Sequence, residues 1–208
     1  LKKNKFFLKI INYSVDHTVC ISQDIHSVLK ELNDKKYLSY IPNGVDLNLF
    51  KFSNQKKNKQ IISVGRLVWQ KDYLNLLKAF SLFLNINSDY KLLIIGEGPE
   101  KKNILKEIKD LKINKNVELV GLCSQTEIVE RLNQSKFFVL SSISEGFPKS
   151  LIEAMACGLP CIVTDTGSCK LIIENSGVAV KPEDPNDLFN GMKEINKMIE
   201  SDKYFYKK

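Results

Sequence analysis

Arginine is nearly absent from this chain. Of its 31 basic residues, all but two are lysine. The net charge of +7 and the pI near 9.0 would suit a protein that binds nucleic acid. The lysines are nevertheless spread along the whole chain, and no basic recognition helix or aromatic–basic RNA motif accompanies them. The charge therefore predicts a solvated, lysine-rich surface, and we expect no nucleic-acid partner.

The chain also lacks the residue sets that build metal sites and disulfide frameworks. It has two histidines and five cysteines, and no second ligand pair completes a zinc set with Cys157 and Cys161. An odd number of cysteines without a regular framework predicts reduced thiols in the cytoplasm. No Asp-x-Asp motif is present to hold a metal ion. We therefore expect neither a metal nor a cofactor.

Long apolar runs are missing as well. No stretch approaches the roughly 18–20 apolar residues that span a bilayer, and no secretory leader is recognisable after Leu1. The chain starts with leucine rather than methionine, so we expect a fragment that is truncated at its N-terminus. An apolar fraction of 43% still supplies the core of one ordinary domain with extensions.

Strand-like and helix-like patterns alternate along the chain. The strands are predicted at 18–21, 37–41, 60–64, 91–95, 117–120, 137–140, between 160 and 165, and at 178–180. The helices are predicted at 22–32, 72–85, 100–111, after 124, after 148, briefly after 168, and at 186–200. The inward face of the second helix is predicted from Leu74, Leu77, Phe80 and Leu84. The alternation predicts an α/β fold with a doubly wound, Rossmann-like parallel sheet.

Several candidate ligand-binding residues directly follow predicted strands, where open α/β sheets bind their ligands. Arg66 follows the strand 60–64, and its planar guanidinium suits two phosphate oxygens, while Lys71 adds a point charge. Alternatively, Arg66 pairs with a surface acid. Gly96 and Gly98 follow the strand 91–95, but Pro99 comes next and no third glycine completes a dinucleotide fingerprint.

The stretch from Ser144 to Asp165 carries two carboxylates eight positions apart, Glu145 and Glu153. Between them, Gly146-Phe147-Pro148 forms a turn before a helix, whose first backbone N–H groups favour an anion. A phosphate at this helix start, with carboxylates that accept hydrogen bonds from hydroxyl groups, would suit a nucleotide sugar. Two alternatives stay open, since Glu145 would also suit a solvated turn and Glu153 would also form a capping box with Ser150.

This stretch resembles the donor-binding motif of the retaining group 1 glycosyltransferases, which have the GT-B architecture. Their motif is Glu, seven residues and Glu, with Gly-Phe-Pro after the first Glu. The chain has Glu145-Gly146-Phe147-Pro148 and then Glu153-Ala154-Met155-Ala156. Its Pro42-Asn43-Gly44-Val45-Asp46 segment resembles the start of the family's donor domain. The resemblance covers roughly residues 37–200.

The resemblance implies a domain division. Residues 1–40 would be a remnant of the N-terminal acceptor domain with its linker, residues 41–200 the nucleotide-sugar donor-binding domain, and residues 201–208 a basic tail. The chain would then be the C-terminal half of a GT-B enzyme. The implied reaction is retaining hexosyl transfer from a nucleotide-diphosphate sugar to a glycan or to a lipid-linked acceptor.

The resemblance also implies roles for individual residues. Arg66 and Lys71 would bind the donor diphosphate, Glu145 the donor sugar and Glu153 the ribose. The backbone of the turns would contact the nucleotide sugar at Gly65, Gly96, Gly98, Gly146, Phe147 and Pro148. The family usually has glycine at the position of Asp72, so an acid is expected beside the phosphate site.

Other functions are compatible with the same residues. The chain would also suit a non-catalytic or split-subunit donor-binding module that needs a separate acceptor-domain subunit. A related GT-B nucleotide-sugar epimerase is a third possibility, against which the pair Glu145 and Glu153 argues. We expect a cytoplasmic protein and leave open a peripheral attachment to the cytoplasmic membrane face.

Overall fold

The computed structural model describes residues 15–32 and 38–201, apart from the side chains of Asp24 and Leu32. Its first part contains strand β1 (Thr18–Cys20), helix α1 (Gln23–Leu32) and strand β2 (Leu38–Tyr40). The two strands pair with each other in parallel as a small separate sheet. The predicted domain division at residue 40 stays a prediction, and residues 1–14 and the basic tail beyond 201 lie outside the described residues.

The main sheet has six parallel strands in the spatial order β5-β4-β3-β6-β7-β8. The strands are β3 (Gln60–Val64), β4 (Lys91–Ile95), β5 (Val117–Gly121), β6 (Phe137–Leu140), β7 (Cys161–Thr164) and β8 (Gly177–Val180). The predicted doubly wound α/β fold is therefore confirmed. The strand order reverses between β3 and β6, and the crevice beyond the carboxyl ends of such a strand pair is where open α/β sheets bind ligands.

Helices connect the strands at nearly the predicted bounds. They are α2 (Tyr73–Leu84), α3 (Lys101–Asp110), α4 (Gln125–Gln134), α5 (Lys149–Ala156), α6 (Cys169–Ile173) and α7 (Pro185–Glu200). A 3-10 turn, Trp69–Lys71, precedes α2. Local residue chemistry sets several helix starts, as in the capping box of Ser124 and Glu127 at α4. No helix within the described ranges combines the length and the hydropathy that crossing a bilayer requires.

The core lies on both faces of the main sheet. Ile61 packs among side chains of α2, α3 and α7, whereas the next residue, Ile62, packs among side chains of α4, α5 and α6. The inner strands β6 and β7 are buried along their whole length, as expected for a sheet that is covered on both faces. This packing leaves the loops at the carboxyl edge to form the site.

The predicted inward face of α2 is confirmed but too narrow. Leu77 and Phe80 are fully buried, and Leu74 and Leu84 are half-buried and pack against the same core. The additional buried positions on this helix are Tyr73, Asn75, Leu76, Ala79 and Phe83. The buried stripe is wider than predicted because α2 packs against α7 as well as against the sheet.

Candidate donor-binding site

The predicted residues Lys71 and Glu145 meet beyond the carboxyl ends of β3 and β6, where the strand order reverses. The Lys71 Nζ atom lies 2.5 Å from Glu145 Oε1, and the two side chains are only 18% and 11% exposed. They therefore form a partly buried ion pair. Sequence reasoning had treated them as separate ligands for phosphate and sugar, and it had left open a solvated turn acid at Glu145, which the burial contradicts.

Buried serines hold this ion pair in place. Ser142 donates a hydrogen bond to Glu145 Oε1 at 2.6 Å, and Ser141 donates one to the Lys71 carbonyl oxygen at 2.8 Å. Thr164 Oγ1 in turn donates to the Ser142 carbonyl oxygen at 2.5 Å. Sequence reasoning missed both serines, and their position directly after the apolar strand β6 was the signal that would have found them.

Arg66 differs from Lys71 in its surroundings. Its side chain is exposed, and within the described part of the chain its guanidinium makes no hydrogen bond or ion pair. The alternative that Arg66 pairs with a surface acid therefore has no support among those residues. The guanidinium is free to bind an anion at the end of β3.

Asp72 does not place a free acid at the phosphate site. It adopts a left-handed backbone conformation, with φ 44° and ψ 52°, which glycine would adopt without strain. Its carboxylate accepts a hydrogen bond from the Asn75 backbone N–H at 3.3 Å and so caps α2. Burial raises the pKa of this carboxyl above its usual range. The carboxylate is thus engaged at the start of the helix.

The glycines after β3 and β4 bring two loops into backbone contact. The Gly65 N–H donates to the carbonyl oxygen of Ile95 at 3.0 Å. A Cβ atom at Gly96, where φ is 141°, would lie 2.0 Å from the Gly65 carbonyl oxygen. A Cβ atom at Gly98 would lie 2.3 Å from the Leu67 carbonyl oxygen. Packing alone therefore requires glycine at 96 and 98, and the nucleotide contacts expected of Gly65, Gly96 and Gly98 stay predictions.

The turn Gly146-Phe147-Pro148 is held from two sides. The Asn43 amide donates a hydrogen bond to the Phe147 carbonyl oxygen at 2.8 Å, and the Ser168 N–H donates to the Gly146 carbonyl oxygen at 3.2 Å. No side chain caps the start of α5 after Pro148, so the N–H groups of its first turn have no side-chain acceptor among the described residues. This start keeps the character of an anion site.

The capping-box interpretation of Glu153 was wrong. Helix α5 begins at Lys149, so Ser150 lies inside its first turn and no side-chain capping bond forms there. The Glu153 carboxylate is half-buried and makes no hydrogen bond to another described residue. Burial raises the pKa of this carboxyl. A half-buried carboxylate without a donor is well suited to accept hydrogen bonds from a ligand's hydroxyl groups.

The site has no arrangement that suggests a bound metal. In residues 15–32 and 38–201, no group of three or more histidine, cysteine, aspartate or glutamate side chains is placed to hold a metal ion. Arg66, which has no ion-pair partner among the described residues, offers positive charge to a phosphate near the reversal point, whereas the charge of Lys71 is paired with Glu145. The expectation that no metal is needed stays a prediction.

Comparison with known proteins gives the family. The model of the family "Glycosyl transferases group 1" matches residues 45–208. The N-acetylgalactosamine-N,N'-diacetylbacillosaminyl-diphospho-undecaprenol 4-alpha-N-acetylgalactosaminyltransferase of Campylobacter jejuni is 34% identical over 150 residues, which are 71% of this chain and 39% of that protein. The UDP-Gal:alpha-D-GlcNAc-diphosphoundecaprenol alpha-1,3-galactosyltransferase of Escherichia coli is 31% identical over 192 residues, which are 84% of this chain and 49% of that protein.

The chain thus spans less than half the length of these two curated relatives. Among solved structures, HepE of Anabaena in complex with UDP and glucose superposes with a TM-score of 0.80 at 20% identity, over 95% of this chain and 58% of that one. Its fold agrees with the predicted GT-B half. The chain belongs to the group 1 glycosyltransferase family.

Proposed function

We propose that this chain is the donor-binding half of a retaining glycosyltransferase, which transfers a hexosyl group from a nucleotide-diphosphate sugar. The observation that carries the proposal is the Lys71–Glu145 ion pair beside the free Arg66, at the point where the strand order reverses. This arrangement offers one unpaired cation for a diphosphate and one fixed carboxylate for sugar hydroxyl groups. The family membership supports the same function.

The proposed mechanism is electrostatic. The bond between the donor's anomeric carbon and the diphosphate oxygen breaks, while the acceptor oxygen bonds to the same face of that carbon. The acceptor's proton passes to the leaving phosphate oxygen. Arg66 and the first N–H groups of α5 stabilise the charge that develops on the leaving diphosphate. Glu145 orients the transferred sugar, and the ion pair with Lys71 holds that carboxylate in place.

The nucleoside lies along the other side of the reversal point in this proposal. Glu153 on α5 accepts hydrogen bonds from the ribose hydroxyl groups, because its half-buried carboxylate is otherwise without a donor. The backbone of the Gly96–Gly98 turn faces the nucleotide. UDP is the first nucleotide to try, since the Escherichia coli relative is named for UDP-Gal and the Anabaena structure holds UDP.

The acceptor is proposed from the relatives. The names of both bacterial relatives specify a saccharide on diphospho-undecaprenol, so we propose a lipid-linked acceptor of this kind for the complete enzyme. The reaction would then take place at the cytoplasmic membrane face. The acceptor domain would be supplied by further sequence or by a separate subunit, since the matched regions are only 39% and 49% of these two relatives.

A calorimetric titration of the chain with UDP, GDP and ADP in the absence of metal tests the proposal. We expect UDP to bind and Arg66→Ala to weaken that binding by roughly 1.5–3 kcal/mol. For Glu153→Gln we expect a larger loss of affinity for UDP than for 2′-deoxy-UDP, which lacks one of the two ribose hydroxyl groups. A folded chain that binds none of the three nucleotides would refute the donor-site proposal. Equal losses of affinity for UDP and for 2′-deoxy-UDP in Glu153→Gln would refute the ribose role alone.

A further inference from the structure

The only tryptophan in the sequence lies beside the proposed donor site and is largely exposed. Trp69 begins the 3-10 turn that ends at Lys71, and it is 62% exposed. Tryptophan is highly buried on average, because its indole removes a large apolar area from water. Within the part of the chain that the structure describes, this indole makes no hydrogen bond and no ring contact. The packing of the fold therefore does not account for a tryptophan at this position.

The backbone around Trp69 is nevertheless held in place. Two residues earlier, Leu67 is fully buried, and its carbonyl oxygen accepts a hydrogen bond from the Glu100 N–H at 2.9 Å. Inside the turn, the Gln70 carbonyl oxygen accepts one from the Ile143 N–H at 2.8 Å. A rigid aromatic side chain on a fixed backbone is typical of a binding anchor, because a ligand that contacts it loses little affinity to ordering the protein.

The turn also lies next to the carboxylate that faces the sugar in the proposed site. Consecutive Cα atoms are about 3.8 Å apart, so at most about 7.6 Å separates the Cα atoms of Trp69 and Lys71. Lys71 in turn is bonded to Glu145 at 2.5 Å. The hydrogen bond between Ile143 and Gln70 joins the turn to the loop that carries Glu145 two residues further on. The indole and the carboxylate thus belong to two loops in direct contact.

An indole beside a carboxylate matches the two kinds of surface that a pyranose presents. The hydroxyl groups on the rim of a pyranose donate hydrogen bonds to a carboxylate, and its C–H groups form an apolar face that packs on an aromatic ring. The other parts of the donor are assigned elsewhere in the proposed site, since Arg66 binds the diphosphate and Glu153 binds the ribose. The transferred sugar is therefore the part of the donor that fits the indole.

We propose that the Trp69 indole stacks on the pyranose ring of the transferred hexose, while Glu145 binds the hydroxyl groups of the same sugar. This inference rests on the glycosyltransferase function proposed above, and it adds a sugar-binding residue that the motif does not contain. It predicts that the chain binds a UDP-hexose more tightly than UDP. It also predicts that the indole supplies part of that difference.

Tryptophan fluorescence of the 208-residue chain tests the proposal, because the sequence contains one indole. The probes are UDP, UDP-glucose, UDP-galactose and the N-acetylamino derivatives of these two sugars, and calorimetry gives the affinity for each. We expect the UDP-hexose that binds most tightly to shift the emission maximum to shorter wavelength, because the sugar shields the indole from water. UDP at saturation should leave the maximum unchanged. An equal shift with UDP would overturn the proposal, since the indole would then respond to the nucleotide.

Trp69→Ala measures the contribution of the stack. We expect this variant to lose affinity for the same UDP-hexose roughly three- to tenfold, as the loss of one aromatic contact predicts, and to keep its affinity for UDP. Trp69→Phe should keep most of the affinity for the UDP-hexose, because it retains an aromatic face. The matched control is Ile86→Ala, at a residue between α2 and β4 that is 58% exposed, on the opposite edge of the sheet. It should change neither affinity.

The failure of this proposal can be distinguished from the failure of the proposed function. A chain that binds a UDP-hexose without a shift in emission would overturn the stacking role alone. Affinities that survive Trp69→Ala, or that fall equally for UDP and for the UDP-hexose, would overturn it in the same way. A folded chain that binds neither UDP nor any of the UDP-hexoses would also overturn the proposed function.

Discussion

Two cations follow strand β3, and their surroundings differ. Arg66 is exposed and makes no contact with a charged group in the described residues, whereas Lys71 is mostly buried and bonded to Glu145. Both had been expected to bind the diphosphate in the same way. In the proposed site, Arg66 would supply the net positive charge for the ligand, while Lys71 fixes and neutralises the Glu145 carboxylate. Cations that are equivalent in a motif are therefore not equivalent in their energetics.

The energetic reason lies in solvation. A partly buried ion pair gains little stability when its desolvation is subtracted, but removing one partner leaves a charge without compensation. The hydrogen bond from Ser142 reduces that cost by satisfying the carboxylate further. An exposed guanidinium stays solvated when it has no partner, so it costs little stability and remains available to bind a ligand. Variants at these positions separate the two roles.

The largest effect is expected from Arg66→Ala. It removes the unpaired cation and should weaken UDP binding by roughly 1.5–3 kcal/mol, the range of a charge-assisted hydrogen bond, with little change in the free energy of unfolding. Titration calorimetry and urea unfolding measure the two quantities. The only other arginine in the sequence, Arg131 on α4, gives the control Arg131→Ala. Equal UDP affinities of the two variants would contradict the role of Arg66.

The next effect is expected from Lys71→Met. It leaves the Glu145 carboxylate mostly buried without its cation and should lower the free energy of unfolding by about 1–2 kcal/mol. The double variant Lys71→Met/Glu145→Gln should recover part of this loss, because it removes the uncompensated charge. Urea unfolding of both single variants and the double variant measures the coupling. Strictly additive losses would show that the pair is not coupled in solution.

A smaller effect is expected from Ser142→Ala. It removes one hydrogen bond to Glu145 Oε1 and should lower the free energy of unfolding by about 1 kcal/mol. It should also weaken binding of UDP-sugars more than binding of UDP, since Glu145 faces the sugar in the proposed site. Ser144→Ala, at the exposed serine next to Glu145, is the matched control. The same losses in both serine variants would contradict the positioning role.

The smallest effect concerns a second half-buried lysine, Lys57, whose Nζ atom lies 6.0 Å from the centre of the Phe52 ring. Burial lowers the pKa of Lys57 from 10.5 to about 8. Between these values the unfolded chain binds more protons than the folded chain, so this lysine makes the free energy of unfolding rise with pH across that window.

Lys57→Met should remove this pH dependence and stabilise the chain by about 1 kcal/mol or less at pH 7, because the side chain as a whole is only partly buried. Urea unfolding at several pH values between 7 and 10 measures the difference, with Lys56→Met at the exposed neighbour as the control. A difference between wild type and Lys57→Met that does not change with pH would contradict the shifted pKa.

Local features of the fold were readable from the sequence because they depend on neighbours along the chain. Strand β3 and strand β6 have the predicted bounds, since a short apolar run between turn residues is sufficient to define them. The start of α4 followed from Ser124 in the same way. Glu145 and Arg66 were predicted as site residues through the motif, and the structure places both in loops that follow strands, β6 and β3.

The pairings within the site were not readable from the sequence. Lys71 and Glu145 are far apart in the chain and meet only because β3 lies beside β6. The same adjacency places Ser142 beside the pair. The misjudged stripe of α2 has a related cause, because its width depends on α7, which comes much later in the chain. Packing between residues that are distant in the sequence thus determined the contacts that local sequence patterns could not predict.

The backbone contact between Gly65 and the turn at Gly96 and Gly98 has a mechanical consequence. The two turns share hydrogen bonds and have no room for side chains between them, so we expect a displacement of one turn to displace the other. A base that displaces the turn after β4 therefore also displaces Arg66 at the end of β3. In this protein, a change of nucleotide base would then alter the alignment of the diphosphate, and hence the turnover, before it alters the affinity.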